Sequence, residues 1–167
     1  GYDVLDRLVQ RIDGYGTAVA ATATMLYDAA DNLLSETTGQ SATAAYAHVS
    51  TTSYGYDALN QLVQQIDGYG TAVASTATMI YDLAGNLLSE TTGQSTTAGY
   101  AHVSTTSYGY DVLDRVVQQI DGYGTAVAST ATMIYDAAGN LLSETTGQST
   151  TASYAHVSTT SYGYDAL

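Results

Sequence analysis

Residues 53–70 read SYGYDALNQLVQQIDGYG, nearly the same stretch returns from Ser107, and residues 161–167 begin it once more. The Tyr-Asp pairs that open the copies are 54 residues apart and start at Tyr2, Tyr56, Tyr110 and Tyr164. A fixed period of this length is typical of repeat arrays, in which each unit packs mainly against its neighbours. The stretch therefore predicts a tandem array rather than one ordinary globular domain.

The period divides the chain into units at 2–55, 56–109 and 110–163, and residues 164–167 are the start of a further unit. The second and third units differ at only six of their 54 positions. We therefore expect one continuous array of nearly equivalent parts.

Composition excludes several classes of protein. Apolar residues make up 45% of the chain, which is enough for a packed core, and no apolar run approaches the ~18 residues of a membrane span. Cys is absent, which excludes disulfides and thiolate metal sites. The net charge of −13 disfavours nucleic acid and anionic membrane surfaces as partners.

The pattern within a unit indicates strands. In the second unit, four segments are rich in β-branched residues and Tyr, with turn residues between them, at 61–67, 71–82, 86–93 and 100–111. A helix is disfavoured because Thr, Ser, Gly and Val are poor helix formers at this density. We predict an all-β fold of tandem antiparallel hairpins.

The Tyr-Asp dipeptides mark the hairpin turns. A Tyr ends one strand at Tyr2, Tyr27, Tyr56, Tyr81, Tyr110 and Tyr135, and the next residue opens the turn at Asp3, Asp28, Asp57, Asp82, Asp111 and Asp136. Three residues later stands a type that tolerates positive φ: Asp6, Asp31, Asn60, Gly85, Asp114 and Gly139. This order predicts a type I turn closed by a G1 bulge, with the Asp carboxylate bonded to turn amides. A second turn signal, DGYG at Asp13, Asp67 and Asp121, joins the first two strands of each unit.

Motifs such as YDVLDRL at 2–8, YDALNQL at 56–62 and YDLAGNL at 81–87 resemble the YD repeats of Rhs proteins. The resemblance covers essentially the whole chain. It implies long antiparallel sheets that spiral into a shell or tube, in secreted or surface-exposed bacterial proteins that include polymorphic toxins, and in the related teneurins. The chain contains no Pro, so the Pro-containing processing motif of toxin shells is absent from this stretch.

Catalytic and metal chemistry are the weaker interpretations. His48, His102 and His156 occur near Ser and Asp, but Ser and Thr are so frequent that this proximity is expected by chance. Their spacing of 54 residues lacks the short-range pairing of known metal sites. We therefore expect no enzymatic activity and no cofactor. Ca²⁺ held by turn carboxylates such as Asp57 and Asp67 is the alternative to capping of the turns.

The function expected from these features is structural: the chain is a segment of a self-stacking, extracellular, β-rich filament or surface stalk, and its units associate end to end.

 The alternatives are the wall of an Rhs-type shell that encloses a toxin, and a cell-surface adhesin that binds glycans through a tyrosine face. The Ser and Thr runs are also candidates for O-linked glycosylation. We expect a bacterial, extracellular or cell-surface location.

Overall fold

The computed structural model describes residues 1–16, 20–40, 49–94, 103–148 and 157–165. Strands and turns make up this part of the chain, and no helix lies within it. The twelve strands described are β1 (Gln10–Asp13), β2 (Ala21–Tyr27), β3 (Leu33–Gln40), β4 (Ser50–Tyr56), β5 (Leu62–Asp67), β6 (Ser75–Tyr81), β7 (Leu87–Gln94), β8 (Ser104–Tyr110), β9 (Val116–Asp121), β10 (Ser129–Tyr135), β11 (Leu141–Gln148) and β12 (Ser158–Ser161). The prediction of an all-β fold of antiparallel hairpins is confirmed.

The folded chain divides into two compact units, which do not coincide with the three sequence repeats. The first comprises Gly1–Thr78 and Gly93–His102, and the second comprises Met79–Thr92 and Val103–Leu167. In the first, β1 to β5 and the start of β6 pair antiparallel in chain order. In the second, β7 to β12 pair in the same way. The strands of each unit therefore form a single-layered meander.

The strand that follows the DGYG loop is shorter than predicted. The sequence pattern predicted a strand from Thr71, whereas β6 begins at Ser75. Gly70 has a φ of 82°, and the Thr71 amide and hydroxyl both donate to the Gly68 carbonyl, at 3.0 and 2.7 Å. These bonds extend the loop, and Ala74 then lies buried where the strand begins. The predicted strand at 100–111 corresponds to β8 from Ser104, and residues 100–102 lie outside the described part.

The two faces of each unit differ in chemistry because side chains alternate along a strand. In the second unit, a threonine face carries the paired residues Thr130, Thr132, Thr145, Gly147 and Thr159. The first unit has the same face, with Thr22, Thr24, Thr37, Gly39 and Thr51.

The opposite face, the carboxylate face, carries the charged strand residues. Its members include Asp13, Glu36 and Asp67 in the first unit and Glu90, Asp121 and Glu144 in the second. Met25 and Met133 lie on it opposite Glu36 and Glu144. The charge of the strands is therefore confined to one side.

Little of the described chain is fully buried. The buried apolar residues are Ala23, Ala74 and Ala128, with exposed fractions of 5, 9 and 8%. The apolar composition predicted a packed core, and the described residues do not form one, because a single layer of strands leaves its side chains open on both faces. Contacts between strands and between turns must therefore supply much of the stabilisation.

Candidate functional site: the row of Tyr-Asp turns

The Tyr-Asp turns share one backbone geometry. In the turn that follows β8, the Asp114 amide donates to the Asp111 carbonyl at 3.1 Å, and the Asp111 amide donates to the Arg115 carbonyl at 3.0 Å. The same pair of bonds closes the turns that start at Asp3, Asp28, Asp57, Asp82 and Asp136. This is a type I turn followed by one residue in the left-handed region.

The fourth residue of every turn has a positive φ. The angles are 59° at Asp6, 67° at Asp31, 60° at Asn60, 92° at Gly85, 59° at Asp114 and 91° at Gly139. Non-glycine residues in this region are uncommon, and Asn and Asp are enriched among them. The permissive residue types at this position thus have a direct backbone reason.

The carboxylate of the Asp that opens each turn accepts hydrogen bonds from backbone amides of the same turn. One carboxylate oxygen of Asp111, Oδ1, accepts bonds from the amides of Leu113 and Arg115, at 2.9 and 3.1 Å. The amides two and four residues after the Asp make the same bonds in the other five turns. Two turn donors are satisfied by one side chain, which explains why Asp opens the turn.

These bonds favour the ionised carboxylate. The side chain of Arg115 is the main cause of the lowered pKa of Asp111, and the Asn140 side chain is the main cause of the lowered pKa of Asp136. The pKa of Asp82 is lowered chiefly by its bond from the backbone amide of Asn86. In these three turns the ionised form of the Asp side chain is therefore favoured.

At five turns, the Tyr before the Asp bonds its turn to the preceding hairpin. The Tyr110 hydroxyl donates at 2.9 Å to the carbonyl of Leu87, which is the first residue of β7. The equivalent bonds join Tyr27 to Leu8, Tyr56 to Leu33, Tyr135 to Val116 and Tyr164 to Leu141, at 3.0 to 3.1 Å. We call these bonds the tyrosine clasps.

The tyrosine clasps were missed by sequence reasoning, which placed each Tyr at the end of a strand and considered a tyrosine face for glycan binding. A signal was present, because the chain has 16 Tyr and no Phe. A position that needed only an aromatic ring would accept Phe, whereas a hydrogen bond to a carbonyl needs the hydroxyl.

Two arginines connect neighbouring turns. Arg115 forms an ion pair with Asp111 at 2.7 Å and donates to the Asp136 carbonyl of the next turn at 2.9 Å. Its guanidinium lies 4.8 Å from the centre of the Tyr135 ring, within the range of a cation–π contact. Arg7 repeats this arrangement with Asp3, Asp28 and Tyr27.

Asparagines connect turns where the arginines do not. The Asn32 side-chain amide donates to Asn60 Oδ1 at 2.9 Å, and that of Asn86 donates to Asp114 Oδ1 at 2.8 Å. The fifth residue of a turn therefore reaches the turn that follows it in the chain. The left-handed residue is the acceptor, so one position serves both the backbone and the contact between turns.

The arrangement offers little for metal or acid–base chemistry. The described residues contain no cluster of three His, Asp or Glu side chains that could hold a metal ion. His48, His102 and His156 lie outside the described residues, so the interpretations that involve them stay predictions. Asp57, a candidate Ca²⁺ ligand, uses Oδ1 for the amides of Leu59 and Gln61. In the described chain, no helix has the length and apolar character that crossing a membrane requires.

Comparison with known proteins supports the resemblance carried by the turns. The RHS Repeat family matches residues 27–72. The matched residues include the Tyr-Asp turns at Asp28 and Asp57, the clasp of Tyr56 and the DGYG loop at Asp67. A comparison with curated proteins found no match. Residues 27–72 therefore match an RHS repeat, and the same Tyr-Asp motifs recur at intervals of 54 residues along the chain.

Proposed function

We propose that the chain is a structural segment of an extracellular, self-stacking filament or surface stalk and that it catalyses no reaction. The observation that carries the proposal is the set of five tyrosine clasps, each of which bonds a turn to the hairpin before it. Bonds of this kind couple neighbouring hairpins, as an assembly of repeated units requires.

The energetics of the array support a structural role. Repeat proteins gain stability from interfaces between neighbouring units, and their stability grows with unit number. The buried apolar residues among those described are three alanines, so burial within a single hairpin contributes little to its stability. Clasps and turn contacts repeat along the chain and supply the coupling between neighbours.

The family supports the location. Rhs repeats typically occur in extracellular or cell-surface proteins. The chain has no Lys and only three Arg, which leaves few sites for trypsin-like proteases. Two of them, Arg7 and Arg115, are held in ion pairs with turn carboxylates. A bacterial surface or secreted protein exposed to proteases would benefit from both features.

End-to-end association through the strands completes the proposal. A net charge of −13 keeps neighbouring filaments apart at low salt, while strand pairing acts only at short range. Negative-stain microscopy of the purified chain at low and high salt tests this. We expect uniform filaments that bundle when salt screens the charge.

The second candidate is the wall of an Rhs-type shell around a toxin, which the family match at 27–72 favours. The same micrographs distinguish the two. Closed particles of one size would support the shell and contradict the filament. Any hydrolytic activity that is lost when His102 is replaced would contradict a passive role in either assembly.

A further inference from the structure

The threonine face of the second unit carries a groove. Its volume is about 480 Å³, within the 300–1,000 Å³ range of typical ligand sites. Thr130, Thr132, Thr145 and Gly147 line it from β10 and β11. Tyr123 of the DGYG loop and Val157 line it as well, so the groove brings together a row of hydroxyls, one aromatic ring and an aliphatic side chain.

The groove recurs at the equivalent place in the first unit. Thr22, Thr24, Thr37, Gly39 and Val49 line a smaller groove of about 180 Å³. Each of these residues precedes its counterpart in the second unit by 108 positions, which is two repeat periods. The groove is therefore a property of the repeat and not of one irregular loop.

The lining is uncharged. Neither groove is lined by an Asp, Glu, Arg or Lys, because the charged strand residues lie on the carboxylate face. A Thr hydroxyl can both donate and accept hydrogen bonds, which suits a ligand that is itself rich in hydroxyls. The overall charge of −13 repels polyanions.

Two further features suit a sugar ring. Tyr123 is 57% exposed, so part of its ring is free to stack on a flat apolar surface. Gly147 has no side chain and lets a ligand approach the backbone of β11 closely. The Thr145 and Thr159 hydroxyls lie 2.9 Å apart and extend the polar row onto β12.

We propose that the threonine-face groove binds a neutral oligosaccharide. This site differs from a tyrosine face on the strands, because its polar groups are threonine hydroxyls and its ring belongs to a loop. The proposal does not depend on filament formation.

The test is isothermal titration of the full chain with cellohexaose, xylohexaose and chitohexaose, and with a hyaluronan hexasaccharide as the anionic comparison. We expect at least one neutral probe to bind and the anionic probe to bind more weakly. A variant with Thr24, Thr78 and Thr132 all replaced by Val removes one hydroxyl at the same place in each repeat. We expect it to lose affinity by about fivefold or more, because each lost hydrogen bond costs a few-fold in binding.

The matched control replaces Thr38, Thr92 and Thr146 by Val, since these exposed threonines lie on the carboxylate face, in the neighbouring strands β3, β7 and β11. Val is a strong strand former, so both variants should fold, which circular dichroism verifies. Unchanged affinity in the control supports the groove. Failure of every neutral probe to bind at millimolar concentration, or equal losses in the two variants, would overturn the proposal. Filaments in micrographs would be unaffected by either result.

Discussion

Replacement of Gly139 tests the backbone requirement of the Tyr-Asp turns. Gly139 has a φ of 91°, and a Cβ added there would meet no atom within 4 Å. A substitution therefore adds backbone strain without a clash. A left-handed conformation costs an L-residue about 1–2 kcal/mol, and a β-branched side chain belongs at the upper end of that range.

Part of that strain is offset in the unfolded chain. Removal of a glycine reduces the conformational freedom of the unfolded state and returns about 0.4–1 kcal/mol. We expect Gly139→Val to lower the free energy of unfolding by about 1 kcal/mol. Gly139→Asn should change it by a few tenths at most, because Asn tolerates this region and Asn60 occupies it at 60°.

Urea unfolding followed by circular dichroism measures both variants, and amide exchange at Asp136 and residue 139 reports the local opening of the turn. These amides make the two closing bonds, at 2.9 and 3.1 Å. Ala138→Val is the control, since it places the same side chain at an exposed neighbouring position. Equal losses for Gly139→Val and Gly139→Asn would refute the requirement for a left-handed residue.

Three other changes test the contacts around the turns. Tyr110→Phe removes a clasp and should cost about 1 kcal/mol of unfolding free energy, whereas Tyr2→Phe, at a ring that is 70% exposed, should cost almost nothing. Asn86→Arg should copy the ion pair of Arg115 and raise the urea midpoint slightly; a lower midpoint would contradict this reading. The lowered pKa of Asp136 stabilises the fold above the ordinary Asp pKa of about 3.9, and this stability is lost as pH falls through the folded value. The free energy of unfolding, measured by urea unfolding at a series of acidic pH values, should therefore fall less steeply with decreasing pH in Asp136→Asn than in the unsubstituted chain.

The local features were predictable from sequence, and the contacts between turns were not. Asp at the first turn position and a permissive residue at the fourth are requirements of a few adjacent residues, so they are visible in the letters alone. The clasp of Tyr110 joins residues 23 positions apart, and its partner is fixed by strand register. The start of β6 was misplaced because the burial of Ala74 and the bonds of Thr71 arise only in the folded loop.

The candidate groove was equally hidden. Thr130 and Gly147 become neighbours only through the pairing of β10 with β11, and periodicity alone does not distinguish a threonine that faces a groove from one that faces water. Which face carried the hydroxyls and which the carboxylates followed from the register of the hairpins.

The contacts between turns also give a physical reason for the near-identity of the repeats. Asn32 of the first repeat bonds to Asn60 of the second, and Asn86 of the second bonds to Asp114 of the third. Each of these two junctions thus includes a side-chain hydrogen bond from a donor in one copy to an acceptor in the next. A substitution on either side must suit its neighbour, so copies that keep the same residues remain interchangeable along the array. Interchangeable junctions are what a structure extended by repetition requires.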